Sequence, residues 1–475
     1  MKQTVLIPGY FVTLHAGHIR LFRFARSIAD KVVVALEVSQ VDEEEIQWRQ
    51  EALSNISFVD EVVLTYGSLV EVISTIKPRF VLKGNEFRNS NFPEKNLLEQ
   101  IGGELIFSSG SYLASTEEQE IFLEGKISNI DQVMKFMSHN GISSQHLMNI
   151  LDKFRETKTL VIGDSIVDEI IKCHPLGMSR EEPALVVSPI ESERFIGGAA
   201  IVAGHAAQAG SSTSLISIRG QDEAGIFLEE RICEFGVDSK LLVDRNRKTT
   251  LKKRFKTGKQ ILFRLTDFSP DLIHSELSES VLDLVSREMR RTKVLIFSDF
   301  SYGVLSGDLA QRIIKVAKGQ NVFTSADSQT SSQLGNLSKF VGVDLITPTE
   351  QEARIELRDE HSGLIQLAEG LRKKMECKFV VLKLGSDGVL LHGLGKDMTL
   401  MRTERIEALN KFPVDISGAG DSLLASSSIA LSLGANFYSA ALIGSIAAAI
   451  QVSRIGNVPI TSSDLMQEIK CLQEH

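Results

Sequence analysis

The feature that most constrains the fold of this 475-residue chain is the regular alternation of short β-branched runs with helix-length segments. Apolar runs at 4–7, 31–38, 61–64 and 79–83 are separated by helical patterns, the first of them near 17–29. A second series of runs opens at 159–164 and continues through 214–218, 294–298, 322–326, 345–347 and 379–384. Parallel strands need a long crossover between them, usually a helix, so this rhythm specifies βαβ units. From about 117 to 156 the sequence is polar, helical in pattern and poor in strand signal. The expected fold class is therefore α/β with two doubly wound domains. A small Rossmann-like domain is expected over 1–125, a helical linker over 126–142 and a larger domain over 143–475.

Bulk composition excludes several classes of partner. Fifty-two basic against sixty-one acidic residues give a net charge of −9 with no long basic run, which argues against nucleic acid and anionic membrane as partners. Small anions need only local sites. The four cysteines, Cys173, Cys233, Cys377 and Cys471, form no Cys-x-x-Cys pair, which argues against zinc and against a disulfide framework. The first apolar run is too short for a signal-peptide core, and the alanine-rich segment 440–452 falls short of the ~20 residues of a membrane span. The latter reads as a buried helix, and a cytoplasmic location is expected.

The most informative chemistry lies in Asp415-Ile416-Ser417-Gly418-Ala419-Gly420-Asp421. Small residues at a helix start let backbone N–H groups approach a phosphoryl group, and the helix dipole favours its charge. Asp421 stands where it could take a proton from an acceptor hydroxyl. Read without further context, Gly-Ala-Gly is also compatible with an ordinary tight helix entry.

Four further segments share the order of this motif along the chain: Gly163-Asp164-Ser165-Ile166-Val167-Asp168, Gly197-Gly198-Ala199-Ala200, Ser298-Asp299-Phe300 and Gly385-Ser386-Asp387-Gly388. Together they resemble the ribokinase-like PfkB carbohydrate kinases over about 143–475. Within that group the chain looks like the kinase half of the bifunctional heptose 7-phosphate kinase and heptose 1-phosphate adenylyltransferase subfamily. Met178-Ser179-Arg180-Glu181-Glu182-Pro183-Ala184 and Arg264-Leu265-Thr266-Asp267-Phe268 are similar to its lid and sugar-site segments.

The resemblance implies that Asp421 is the base and that the amides of Gly418, Ala419, Gly420 and Asp421 form an anion hole. It implies sugar binding by Asp168, Gly197, Gly198, Arg264 and Asp299. Lys383, Gly385, Ser386 and Gly388 fall where the nucleotide lies, and Glu352 matches a glutamate that helps organise Mg2+ and the phosphates. ATP as co-substrate, sugar phosphates as substrates and a homodimer are implied likewise. The bland reading remains beside each: Asp168 and Asp299 would merely cap helices, Glu352 would lie on a solvated helix face, and Arg264 would pair with a lid carboxylate. Three departures bear on the sugar. Ile201 stands where the family carries a sugar-binding asparagine, Thr349 replaces the asparagine of Asn-x-x-Glu, and Tyr302 and Gln329 occupy places that are lysine-bearing in the heptose kinases.

Near the N-terminus, Gly9-Tyr10-Phe11-Val12-Thr13-Leu14-His15-Ala16-Gly17-His18 follows a strand and enters a helix. Two imidazoles so placed could donate to an α-phosphate and to a departing pyrophosphate, while Gly17 permits close backbone approach. The string resembles the His-x-Gly-His motif of cytidylyltransferase-like enzymes over about 1–125. That likeness implies catalytic His15 and His18 and nucleotide contacts from Gly9, Tyr10, Phe11 and Gly17. Lys83-Gly84 and Ser115-Thr116 match its later phosphate-binding segments. Val12 stands where an aspartate is usual, the segment 38–49 looks shortened, and Glu117-Glu118 brings negative charge close to the expected triphosphate. The implied activity is nucleotidyl transfer to a sugar 1-phosphate, with a non-catalytic nucleotide-binding or dimerisation module as the alternative. Relative to the matched subfamily the two halves stand in reversed order.

Overall fold

A computed structural model describes residues 3–11, 16–38, 43–54, 56, 58–66, 68–83, 93–107, 127–179, 181–182, 184–257, 260–329, 335–394 and 401–473. The chain divides into two compact units, 1–124 and 125–475. Each is a doubly wound α/β structure.

In the first unit, strands β1 (Thr4–Gly9), β2 (Lys31–Glu37), β3 (Glu61–Thr65), β4 (Phe80–Lys83) and β5 (Glu104–Phe107) form one sheet in the order β3-β2-β1-β4-β5. Every pairing is parallel. Successive side chains point to opposite faces, and both faces are covered: Val5, Ile7, Val32 and Val34 feed one core, Leu6, Val33, Ala35 and Val81 the other. That is why these strands read as continuous apolar runs. The strand order reverses between β1 and β4, so the topology brings Gly9 and Lys83 to the crevice at the carboxyl edge of the sheet, where ligands bind in such folds.

The second unit carries two sheets. Strands β6 (Lys158–Gly163), β7 (Ser165–Met178), β8 (Leu185–Gly198), β9 (Ser212–Arg219), β10 (Asp238–Val243), β11 (Thr250–Thr257), β12 (Gln260–Asp267), β13 (Val294–Asp299), β14 (Phe323–Ser328), β15 (Leu345–Ile346), β16 (Phe379–Lys383), β17 (Val389–Leu394) and β18 (Met401–Ile406) follow one another along the chain. The main sheet has the order β10-β9-β6-β13-β14-β15-β16-β17-β18, parallel up to β16 and antiparallel at its β17–β18 edge. Its two faces again feed two cores, one taking Val161 and Ile296, the other Leu160, Ile162 and Phe297.

The lid is the four-stranded sheet β12-β11-β7-β8. Strand β7 leaves the main sheet after Gly163, buried for its first seven residues and largely exposed beyond them. The outer lid is braced by Phe255 stacked on Phe263 with ring centroids 4.3 Å apart.

Of the expected linker 126–142, the described residues 127–142 pack as part of the second unit. The helix Ile130–Asn140 buries Val133, Phe136 and Met137 in a core of the second unit. Apolar residues at a helical spacing are legible as a face, but the surface that covers them is not. The alanine-rich segment forms the buried helix Phe437–Val452, as expected, and among the described residues no helix is long and apolar enough to cross a membrane.

Candidate active site

The carboxyl ends of β13, β14 and β16 and the lid sheet frame a cleft of about 1120 Å³. Asp421, Gly418, Ala419, Gly420, Asp168, Gly198, Arg264, Glu352, Lys383, Gly385, Ser386 and Gly388 all line it. Twelve positions expected from six separate stretches of sequence thus share one cavity.

Gly418 caps the helix Ala419–Ser432 with φ +77°, a left-handed conformation that glycine adopts at little cost. The first helical bond runs from Ser422 N–H to the Gly418 carbonyl at 3.0 Å, so the N–H groups of Ala419, Gly420 and Asp421 lie ahead of the helix's own ladder. The turn is anchored from behind. Asp415 accepts from the N–H groups of Ser417 (3.0 Å) and Gly456 (3.1 Å), and Gln451 donates to the carbonyls of Ser417 (3.1 Å) and Gly456 (2.9 Å).

Asp421 is buried at the end of this cradle. Burial, then the nearby charges of Asp327 and Asp168, raise its carboxyl to about 7, while Lys383 and a hydrogen bond from Gln329 pull the other way. Lys383 Nζ lies 2.7 Å from Asp327 Oδ2 and packs beside Gly420. Burial opposes the ammonium charge, but Asp327, Glu352 and Asp421 outweigh it and hold Lys383 above its ordinary value. One cation thus serves three carboxylates, and Asp327 itself is pushed up to about 6, chiefly by burial. A base near neutrality suits proton abstraction at physiological pH.

At the opposite side of the cleft Asp168 pairs with Arg254 at 3.0 Å and accepts from Asn457 Nδ2 at 3.2 Å. Its carboxyl is raised, burial outweighing Arg254 and Lys252. Gly197 is explained by this carboxylate, because a Cβ there would collide with Asp168 Oδ2. Gly197 therefore supports the site from outside the lining, whereas Gly198 lines it. Arg254 also donates to Ser417 Oγ at 3.2 Å, which ties the lid to the turn before the helix Ala419–Ser432.

Asp299 departs from its expected role. It is fully buried, paired with Lys339 at 3.0 Å and bonded to Ser328 Oγ at 2.8 Å, and it does not line the cleft. A carboxylate at a parallel-strand end looks the same in sequence whether it faces a ligand or a lysine forty positions on. Asp164 is another carboxylate in the framework, accepting from the N–H groups of Phe300, Tyr302 and Val304. Glu352 is buried rather than solvated: its Oε2 accepts from Thr349 N–H at 2.8 Å, and Thr349 Oγ1 accepts from Glu352 N–H at 3.2 Å, a complete capping box.

Several lining residues were missed from sequence. Lys252, Lys253 and Arg254 crowd the Asp168 side of the cleft, with Lys252 Nζ 4.6 Å from the Phe300 ring centroid and 5.3 Å from that of Tyr302. Their lysine-rich strand was the available signal. Ile201 is buried in the core, and the amide that meets Asp168 comes instead from Asn457. Asp327, which ends a strand beside Lys383, carried the same strand-end signal as Asp299.

In the first unit, Gly9 ends β1, Tyr10 is exposed, and Phe11 is buried with φ +44°. Gly17 and His18 lie in the helix Ala16–Ile28. His18 meets Phe11 edge-on at 5.0 Å and stacks on Phe22 at 6.4 Å. Lys83 ends β4. His15, Gly84, Ser115 and Thr116 lie outside the described residues.

Comparison with known proteins agrees with this geometry. The model of the pfkB family carbohydrate kinases matches residues 156–462. The bifunctional protein HldE of Campylobacter jejuni is 28% identical over 316 residues, covering 66% of this chain and 64% of that protein. The protein of the same name from Wolinella succinogenes is 30% identical over 323 residues, covering 67% and 66%. The chain therefore spans about 64% of the length of the first of these curated relatives. Among solved structures, the ribokinase of Arabidopsis thaliana complexed with ribose and ATP superposes with a TM-score of 0.52 at 17% identity, covering 66% of this chain and 99% of that one. Phosphofructokinase-2 of Escherichia coli in complex with potassium gives 0.54 at 16%, covering 67% and 99%. These last two likenesses speak for the fold alone, whereas the family match and the Asp421 cradle speak for the chemistry. The chain belongs to the pfkB family of carbohydrate kinases.

Proposed function

We propose that the second unit, over 143–475, transfers the γ-phosphoryl group of MgATP to the anomeric hydroxyl of a sugar phosphate, with heptose 7-phosphate as the leading candidate. The observation that carries this reading is that Asp421, beside the amides of 419–421, shares its cleft with Asp168. Asp168 and Asn457 orient sugar hydroxyls, and Lys252, Lys253 and Arg264 supply positive charge for an anionic substituent on the sugar. Asp421 takes the proton of the attacking hydroxyl, the new P–O bond forms as the bond from Pγ to the β-phosphate oxygen breaks, and ADP leaves. Amides at the helix start and Lys383 hold the charge on the transferring group; such a donor contributes about 3–4 kcal/mol.

Leu409, Ala448, Ala449 and Val452 line the cleft as an apolar surface for a base, near Gly385, Ser386 and Gly388. Among the described residues no cluster of three or more His, Cys, Asp or Glu could hold a metal. The buried carboxylate of Glu352 at the cleft fits Mg2+ that arrives on the triphosphate and keeps most of its waters, and that ion would neutralise charge between the phosphates. ATP consumption with heptose 7-phosphate and a panel of other sugar phosphates tests the reading. Turnover with a sugar phosphate supports it, and turnover only with unphosphorylated sugars overturns the assignment of substrate.

For the first unit, the His-x-Gly-His string and its resemblance to cytidylyltransferase-like enzymes support nucleotidyl transfer to a sugar 1-phosphate, with release of pyrophosphate, and the relatives are named bifunctional. One observation favours the second reading, a non-catalytic nucleotide-binding or dimerisation module: the His18 ring is set against Phe11 and Phe22. Pyrophosphate release with sugar 1-phosphates and nucleoside triphosphates, compared between wild type and His18→Ala, separates them. Histidine-dependent release establishes the enzyme, and its absence with every pair leaves the module. A cytoplasmic location and a homodimer of the whole chain are what the family likeness suggests.

A further inference from the structure

One polar side chain at the reacting end of the cleft has no part in the chemistry above. Gln329 follows β14, and its own N–H donates to the carbonyl of Asp299 at 2.8 Å, which fixes its backbone to the end of β13. Its side-chain Nε2 donates to Asp421 Oδ1 at 3.0 Å and to Asp327 Oδ2 at 3.3 Å. A carboxamide nitrogen has two protons, so both are committed, one to each of two carboxylates that repel one another. Asp327 is at the same time the ion-pair partner of Lys383. The amide therefore lies between the Lys383–Asp327 pair and the aspartate that meets the sugar.

The charged groups facing Asp421 are Asp327 from the end of β14, Lys383 from β16 and Asp168 from β7. Asp168 is balanced by Arg254, and Lys383 is shared with Asp327 and Glu352. None of these groups donates a hydrogen bond that the structure records on Asp421; Gln329 does, on Oδ1. With Oδ1 held, Oδ2 is the oxygen left to face an acceptor hydroxyl.

We propose that Gln329 is the positioning residue for Asp421: its amide fixes the carboxyl with Oδ2 turned to the acceptor, and it tunes the proton affinity of that carboxyl. The inference rests on reading Asp421 as the base. A donated hydrogen bond favours the charged carboxylate. Removing the donor makes Asp421 hold its proton to higher pH, a carboxylate in its place does so further, and an ammonium does the reverse.

The test uses the full chain with Gln329→Met, Gln329→Glu and Gln329→Lys, each checked for a wild-type thermal transition. Aspartate 13C-carboxyl NMR follows the titration of Asp421, its signal identified by loss in Asp421→Asn, and so needs no substrate. The expected result is a wild-type midpoint near 7. The midpoint rises in the Met and Glu variants and falls in the Lys variant, by about one pH unit or more for the charged replacements. With a sugar phosphate that is turned over, the acid limb of kcat/KM moves in the same directions, and kcat of the Met variant falls roughly tenfold with KM for ATP unchanged. A midpoint that stays at the wild-type value in all three variants overturns the proposal. So does an activity loss that is uniform across pH. If wild type turns over no sugar phosphate, the proposed substrate fails, and the NMR titration still decides the role of Gln329.

Discussion

Lys383 Nζ lies 2.7 Å from Asp327 Oδ2 beneath the turn that begins the helix Ala419–Ser432, with Gly420 packed against the ammonium. The lysine is thus fixed beside the turn at the helix start. Asp327 is buried and Lys383 half-buried at the cleft wall, and in such a pair the loss of one partner costs more than the loss of both.

Lys383→Met is therefore expected to destabilise the chain by about 1–3 kcal/mol, because Asp327 is left buried without its partner and must take up a proton. Lys383→Met combined with Asp327→Leu is expected to recover much of that stability and none of the kinase activity. Denaturant unfolding and ATP turnover on the two single variants and the double variant check this.

Asp421 should make the enzyme less stable at the pH where it works. Folding raises its carboxyl from 3.8 to about 7, so across that window the folded state keeps a proton that the unfolded chain releases. Stability from this group is lost as pH rises from about 4 to 7, by at most roughly 4 kcal/mol. Asp421→Asn removes the penalty. Its melting temperature is expected to exceed that of wild type at pH 8 and to approach it at pH 4; equal gains at both values would place the cause elsewhere.

A methyl group at Gly197 is expected to act on the sugar alone. Gly197→Ala drives a Cβ into Asp168 Oδ2, and the carboxylate must move from its place between Arg254 and Asn457. Steady-state kinetics should show KM for the sugar phosphate rising about tenfold or more, equivalent to about 1.4 kcal/mol, with KM for ATP unchanged.

Much of this architecture is legible in the sequence. Strands buried on both faces, such as 4–7 and 159–164, read as unbroken apolar runs, and the turn around Asp421 declares both its glycines and its acid. The lid strands β11 and β12 were harder, because Lys252, Lys253 and Arg254 break the apolar pattern for reasons that belong to the cleft. Residues that meet only through topology were out of reach. Asp168 and Asn457, or Gln329 and Asp421, share no local pattern, and nothing near Asp299 in sequence points to Lys339.

The account stands on Asp421 as the base of phosphoryl transfer, and ADP formation with heptose 7-phosphate by wild type and Asp421→Asn, alongside ATP binding by calorimetry, tests it most directly. The expected result is a loss of kcat of about 10²–10⁴-fold in the variant with ATP affinity unchanged. Turnover by Asp421→Asn at the wild-type rate would contradict it.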